Sequence, residues 1–245
     1  MARGPDKPGE IYTAYVQDVR RILGEELEGV VVLGDAVTGD YEPTRSRIEF
    51  LLAVKDDRFA RVKSLAPVVA DWHKRRVATP LIASPGYVRS SLDASTHELF
   101  NMQLFHEAIW GQDVLAELAF DPGQLRIGCE HQAKACLQGI KGSYLETEGE
   151  LKRIAKAMAG SIDEVVQILR TLIHLRGKEP PGPRRRVFKS AGKIFNLSEA
   201  VFLRVLACRD EGTKETKAER AHLFEEYVGQ LEAVAGIADE MGEVE

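Results

Sequence analysis

The chain has 245 residues, 44% of them hydrophobic and 29% charged, with a formal net charge of -5. That supplies enough apolar residues to bury a core in one large or two small domains, and the mild acidity excludes a global attraction to nucleic acid or to an anionic membrane surface. No apolar run approaches a membrane span, and the opening "MARGPDKPGE" lacks the apolar core of a signal peptide, so a cytoplasmic protein is expected.

The first periodic stretch is "EIYTAYVQDVRRILGEELEG", with Ile11, Tyr15, Val19, Ile22, Leu23 and Leu27 at helical spacing and Gly29 as the stop. "VVVLG", Val30 to Gly34, reads as a short apolar strand. "RIEFLLAV", Arg47 to Val54, reads as the next, with Ile48, Phe50, Leu52 and Val54 on one face and Arg47, Glu49, Leu51 and Ala53 on the other. "DRFARVKSLAPVVADWHKR" returns to helical spacing. "VATPLIAS" is a third strand, and Pro80 inside it argues for a sheet edge.

Past "SPGYVRSSLDAS" the pattern becomes helical. "THELFNMQLFHEAIWG", "QLRIGCEHQAKACLQGIKGSYLE", "EGELKRIAKAMAG", "SIDEVVQILRTLIHLRG", "LSEAVFLRVLACRDEG" and "KAERAHLFEEYVGQLEAVAGIADEM" all read as helices. Ser161 and Ser198 are N-cap candidates, Gly177 is a C-cap candidate, and "KEPPGPRRR" is a stiff connection. The expected class is α+β: a small mixed-sheet α/β domain over residues 1–95, then an all-helical bundle domain over residues 96–245.

The stretch "LGDAVTGDYEPTRSRIEFLLAV" carries a further signal. A strand, a glycine turn, a polar loop and a second strand resemble the motif of the polymerase-β-like nucleotidyltransferase superfamily. There the turn is Gly-Ser, another Gly follows, and the second strand opens with Ser-Asp-Ile-Asp. Gly34, Gly39, Ser46, Ile48 and the apolar run after Glu49 match. A minimal α/β domain followed by helices is similar to the kanamycin-nucleotidyltransferase-like bacterial type. The resemblance implies nucleotide phosphates near Gly34, Asp35, Ser46 and Arg47. It also implies Mg2+ if the protein is active, with Glu49 as catalytic and metal-binding carboxylate.

The departures from that motif are chemical. Asp35 stands in place of the serine, Arg47 in place of the first carboxylate, and Glu49 in place of the second. "VATPLIAS" offers no third. A guanidinium cannot ligate a cation. An ionised Asp35 repels phosphate, by about 1 to 4 kcal/mol for like unit charges about 4 Å apart. Three plainer roles compete: Asp35 capping a short helix near Ala36, an exposed Arg47–Glu49 ion pair, and glycines that serve only turns. Arg47 could also replace a metal as the partner of phosphate.

Other clusters carry less. "PRRRVFKSAGK" gathers Arg184, Arg185, Arg186, Lys189 and Lys193 and reads as a solvated helix start; it lacks the phosphate-loop spacing, and nucleic acid is not an expected partner. His97, His106 and His131 form no zinc-type pattern. "RTLIH", Arg170 to His174, is too short and apolar for the nuclease motif of the HEPN family. Cys129, Cys136 and Cys208 read as buried hydrophobes. The apolar "FNMQLFHEAIW" and "VVQILRTLIHL" are core or a self-association face. The expected function is a nucleotidyltransferase-fold protein with a degenerate metal site that binds nucleotide or a partner with little turnover. One alternative is an active enzyme moving a nucleoside monophosphate to a small molecule or protein, using Glu49 with Asp35, Asp93 or Glu98. The other is an interaction module acting through its helices, with a protein partner or a second copy of itself.

Overall fold

The computed structural model describes residues 3–211 and 216–241, with the backbone alone for residues 60, 61 and 211. Met1 and Ala2 of the opening stretch, and Gly212 closing one predicted helix, lie outside them. The chain forms two compact units, Met1–Phe120 and Asp121–Glu245.

In the first unit, helix α1 (Tyr12–Leu23) stops at Gly24, whose φ of 56° is left-handed and ends the helix before Leu27. Strand β1 (Leu27–Leu33) therefore begins at Leu27. Leu27 and Gly29, expected in the helix and at its end, belong to the strand. Gly29 is required by crowding: a Cβ there would lie 2.1 Å from the carbonyl oxygen of Gln112. Next come α2 (Asp35–Thr38), β2 (Glu49–Val54), α3 (Phe59–Val62), α4 (Ala66–His73), β3 (Leu81–Ala83), α5 (Pro85–Ser90), α6 (Thr96–Leu104) and β4 (Glu107–Gly111). The sheet order is β3-β2-β1-β4. β2 runs antiparallel to β1, with Val32 opposite Phe50 and Leu33 opposite Glu49. β3 is parallel to β2 and sits at the edge, as Pro80 suggests.

Both faces of this sheet are covered, which is why β1 and β2 read as continuous apolar runs. Val30, Val32, Phe50 and Leu52 pack with Tyr15 and Trp72 on one side. Val31, Leu33, Leu51 and Ala83 pack with Val88, Leu99 and Leu115 on the other. Trp72 Nε1 donates to Asp18 at 3.1 Å, satisfying the one polar atom of a buried indole.

Strand β4 corrects the expectation of helices alone from residue 96. The stretch "THELFNMQLFHEAIWG" is helical only to Leu104; Phe105 turns to φ -136°, ψ 89°, and Glu107–Gly111 pairs antiparallel with β1. Ile109 and Trp110 suit a strand as well as a helix, and the open edge of β1 decides between them. His106 fastens the change of direction, with Nε2 2.9 Å from Asp113 Oδ2 and Nδ1 2.8 Å from the Gln103 carbonyl. Residues 96–120 thus belong to the first unit, and the boundary at residue 95 moves to Phe120.

His97, on α6, is 4% exposed, and burial pushes its imidazole down to about 4. An unfolded histidine titrates at about 6.5. Between the two values the unfolded chain takes up a proton that the folded chain refuses. Stability is therefore full above that upper value and falls as pH drops toward the lower, by at most about 1.4 kcal/mol per pH unit for one proton. Urea midpoints at neutral and mildly acidic pH should differ more in wild type than in His97→Gln. Equal differences would assign the acid sensitivity to other groups.

The second unit is helical: α7 (Pro122–Glu146), α8 (Leu151–Leu175), α9 (Arg184–Phe195), α10 (Glu199–Glu211) and α11 (Lys217–Glu240). Two predicted helices merge in α8. Ser161 is therefore mid-helix instead of an N-cap; its Oγ lies 2.9 Å from the Met158 carbonyl and 2.7 Å from the Tyr227 hydroxyl. Such back-bonding lets a serine sit inside a helix. α10 does begin after Ser198, and Gly177, with φ 69°, follows the end of α8. The apolar run "VVQILRTLIHL" is core: Ile168, Leu169, Leu172 and Ile173 are each 0% exposed. Among the described residues no helix is long and apolar enough to cross a membrane.

Candidate functional site

The turn between β1 and α2 is built on Gly34, whose φ of 67° and ψ of -145° lie in a region essentially reserved for glycine. Its carbonyl accepts from the amides of Val37 and Thr38, and Gly39, with φ 85°, closes the short helix. Asp35 is the first residue of α2, with Gly34 in the N-cap position. An acidic side chain suits that end of a helix. Ser46 arrives from across the polar loop: its Oγ donates to Asp35 Oδ2 at 2.6 Å and accepts from the Glu42 amide at 3.1 Å. Ser46 is 7% exposed, so this pair is a tie between turn and loop, and its hydroxyl proton is committed to Asp35.

Entry into β2 is braced by a residue the sequence did not single out. Arg76, at φ 63°, sends its guanidinium back to the carbonyls of Ser46, at 3.2 Å, and Arg45. Its own carbonyl accepts from the Ile48 amide at 2.9 Å. "HKRRV" holds several adjacent cations, and nothing in their spacing marks which one turns inward.

Between those anchors the side chains alternate. Ile48 and Phe50 are buried, while Arg47 and Glu49 are exposed on the opposite side. They do not pair with each other: Arg47 makes no side-chain hydrogen bond or ion pair with any described residue. Glu49 lies over the turn instead. A Cβ placed on Gly34 would come within 2.9 Å of Glu49 Cδ and 3.0 Å of both its carboxylate oxygens.

Gly34→Ala tests this arrangement. The backbone region costs a non-glycine residue about 1 to 3 kcal/mol, and the new methyl group must also push the Glu49 carboxylate aside. A loss of stability of that size, read from a lowered urea midpoint, is expected. An unchanged midpoint would mean that the turn relaxes freely.

The remaining candidates are elsewhere. Asp93 is exposed and accepts from the Ala94 amide at 2.8 Å. Glu98 faces a cavity whose lining includes Leu51 but none of the turn residues. Among the described residues no group of three or more His, Cys, Asp or Glu side chains is placed to hold a metal ion. Arg170 is structural, donating to the carbonyls of Pro181, at 3.4 Å, and Gly182 and so pinning the "KEPPGPRRR" connection. Arg184 is tied to Asp163 at 2.7 Å, while Arg185, Arg186, Lys189 and Lys193 lie along α9. Burial pushes the thiols of Cys129 and Cys136 up to about 12, which leaves them unreactive at neutral pH.

No protein-family model matches the chain, and no curated protein does. Among solved structures, it is similar to the spectinomycin adenyltransferase AAD(9) from Enterococcus faecialis, crystallised with ATP and spectinomycin. The TM-score is 0.53, over 90% of this chain and 99% of that one, with 12% sequence identity. That likeness shows a shared fold: the chain has the α+β architecture of that solved structure.

Proposed function

We propose that this protein binds a nucleoside triphosphate at the Gly34–Asp35 turn, with Arg47 as the phosphate partner, and turns it over slowly or not at all. One observation carries the reading: Arg47 is an exposed cation with no partner among the described residues, held on a braced backbone beside the turn. A phosphate there gains a charge-assisted bond without first breaking an internal one.

The donor set does not fit a two-magnesium centre. Magnesium wants near-octahedral oxygen ligation, and the described side chains supply no acidic trio. Arg47 would repel the ion, and Asp35 is engaged by Ser46. The Glu49 carboxyl group lies over the glycine turn, where it opposes an incoming phosphate. Glu49→Gln removes that opposition and should tighten triphosphate binding.

The adenyltransferase neighbour, crystallised with ATP, favours one second reading: retained transfer of a nucleoside monophosphate to a small molecule or protein. Pyrophosphate release separates the two. With magnesium or manganese and each common ribonucleoside triphosphate, release should stay at background. Robust metal-dependent release that Glu49→Gln abolishes would establish the active enzyme instead. Failure to bind nucleotide at millimolar concentration would leave the helical unit as the functional part, acting on a protein partner or a second copy of itself.

A further inference from the structure

A cavity of about 440 Å³ lies in the first unit, between the edge strand β3 and helices α5 and α6. Its volume is that of a small-molecule site. Its interior is apolar: Leu51, Ala83 and Leu99 are buried along it, and Met102 adds a side chain that adapts to irregular shapes. Leu81 and Tyr87 on its lining are 47% and 60% exposed, large apolar groups left in water. None of Gly34, Asp35, Arg47 or Glu49 takes part in the lining, so a ligand assigned to this cavity is independent of the nucleotide reading.

The charged groups in this cavity are of one sign, and they stand beside the hydroxyls of Tyr87, Ser91 and Ser95. Asp57 accepts from the Ser84 amide at 3.0 Å through Oδ2, and no other described group bonds to that carboxylate. Glu98 has no hydrogen-bond or ion-pair partner among the described residues. Ser91 gives its hydroxyl proton to the Tyr87 carbonyl at 2.8 Å, which leaves its oxygen as an acceptor. No Lys, Arg or His is among the described residues of the lining. An apolar chamber with two carboxylates and no internal cation is mismatched to an anion. It is also poorly matched to a polyhydroxylated ligand, whose hydroxyls would face Leu51, Leu99 and Met102 without partners.

We infer that this cavity binds a small organic cation with an apolar body, an aryl- or alkylammonium compound. The ammonium group sits between Asp57 and Glu98, and the body lies over Leu51, Leu99 and Met102. The charge fixes the orientation, while the apolar contact provides the burial.

The probe is 2-phenylethylamine, titrated into the full chain by calorimetry beside its neutral counterpart 2-phenylethanol and its anionic counterpart 3-phenylpropanoate. The amine should bind saturably. The alcohol should bind at least about tenfold more weakly, and the carboxylate should not bind detectably. Glu98→Gln changes an exposed side chain and should weaken the amine about tenfold without altering the fold. Asp57→Asn keeps an oxygen for the Ser84 amide and should act in the same direction. The inference is overturned if no saturable amine binding occurs at millimolar concentration. It is equally overturned if the alcohol binds as tightly as the amine, or if the double variant, still folded by circular dichroism, binds the amine as wild type does.

Discussion

Phe50→Ala is expected to lower the stability of the first unit by about 3 to 5 kcal/mol, the range for truncating a buried aromatic residue. Phe50 is 1% exposed and holds α1 against the sheet. Its ring stacks on Tyr15 at 3.9 Å with 12° between planes, and Tyr12 meets it edge-on at 6.0 Å. Alanine leaves a void among these rings and removes aromatic contacts worth about 0.5 to 1.5 kcal/mol per pair beyond burial. Both tryptophans, Trp72 and Trp110, lie in this unit, so their fluorescence follows its unfolding in urea. Trp72 sits edge-on to Tyr15 at 5.3 Å and senses the same cluster. Phe59→Ala is the control: that ring is 78% exposed, and its loss should change stability by less than about 0.5 kcal/mol. If the two variants unfold at the same urea concentration, Phe50 does not hold α1 to the sheet. The variant also bears on function, because Phe50 follows Glu49 in the chain segment that carries Arg47 to the turn.

The central strands are legible in the sequence because both faces of the sheet are covered, so "VVVL" and "FLLAV" have to be apolar throughout. Strand β4 is not, because "EAIWG" satisfies either period and only the unpaired edge of β1 selects the strand. The same long-range pairing moves the unit boundary from residue 95 to Phe120. Ser161 misleads for the opposite reason: a local cap signal is present, but the Tyr227 hydroxyl and the Met158 carbonyl occupy that serine within a longer helix. At the candidate site, strand alternation is enough to put Arg47 and Glu49 on one side. The glycine pattern is enough to place a turn at Gly34. The Ser46–Asp35 bond, the clamp from Arg76 and the Glu49 carboxylate over Gly34 each join residues brought together by the sheet and loop. No local spacing encodes them. The cavity beside β3 is likewise assembled from separate elements, and among its polar residues the sequence points only to Glu98, as a spare carboxylate.

Arg47→Ala is expected to weaken triphosphate binding about ten- to a hundredfold. The side chain stands on a fixed backbone. Ile48, next in the chain, is 0% exposed and bridges to Val77, and Arg76 grips the carbonyls of Ser46 and Arg45. The guanidinium of Arg47, by contrast, is free of any described partner. A charge-assisted bond to a phosphate oxygen contributes about 1.5 to 3 kcal/mol, and each 1.4 kcal/mol is about a factor of ten. Since the cation is the protein's own, binding should be nearly the same with magnesium and with EDTA. Since the guanidinium is exposed, added salt should weaken binding, the screening length shrinking to about 8 Å at physiological ionic strength. Arg47→Lys keeps the charge but loses the planar fork and should fall between wild type and alanine. Calorimetry on the three proteins, with and without EDTA, reads all of this at once. Equal affinity in wild type and Arg47→Ala would remove Arg47 from the site. Binding that appears only with magnesium would mean that Glu49 holds a metal despite its neighbour, and the active-enzyme reading would take precedence.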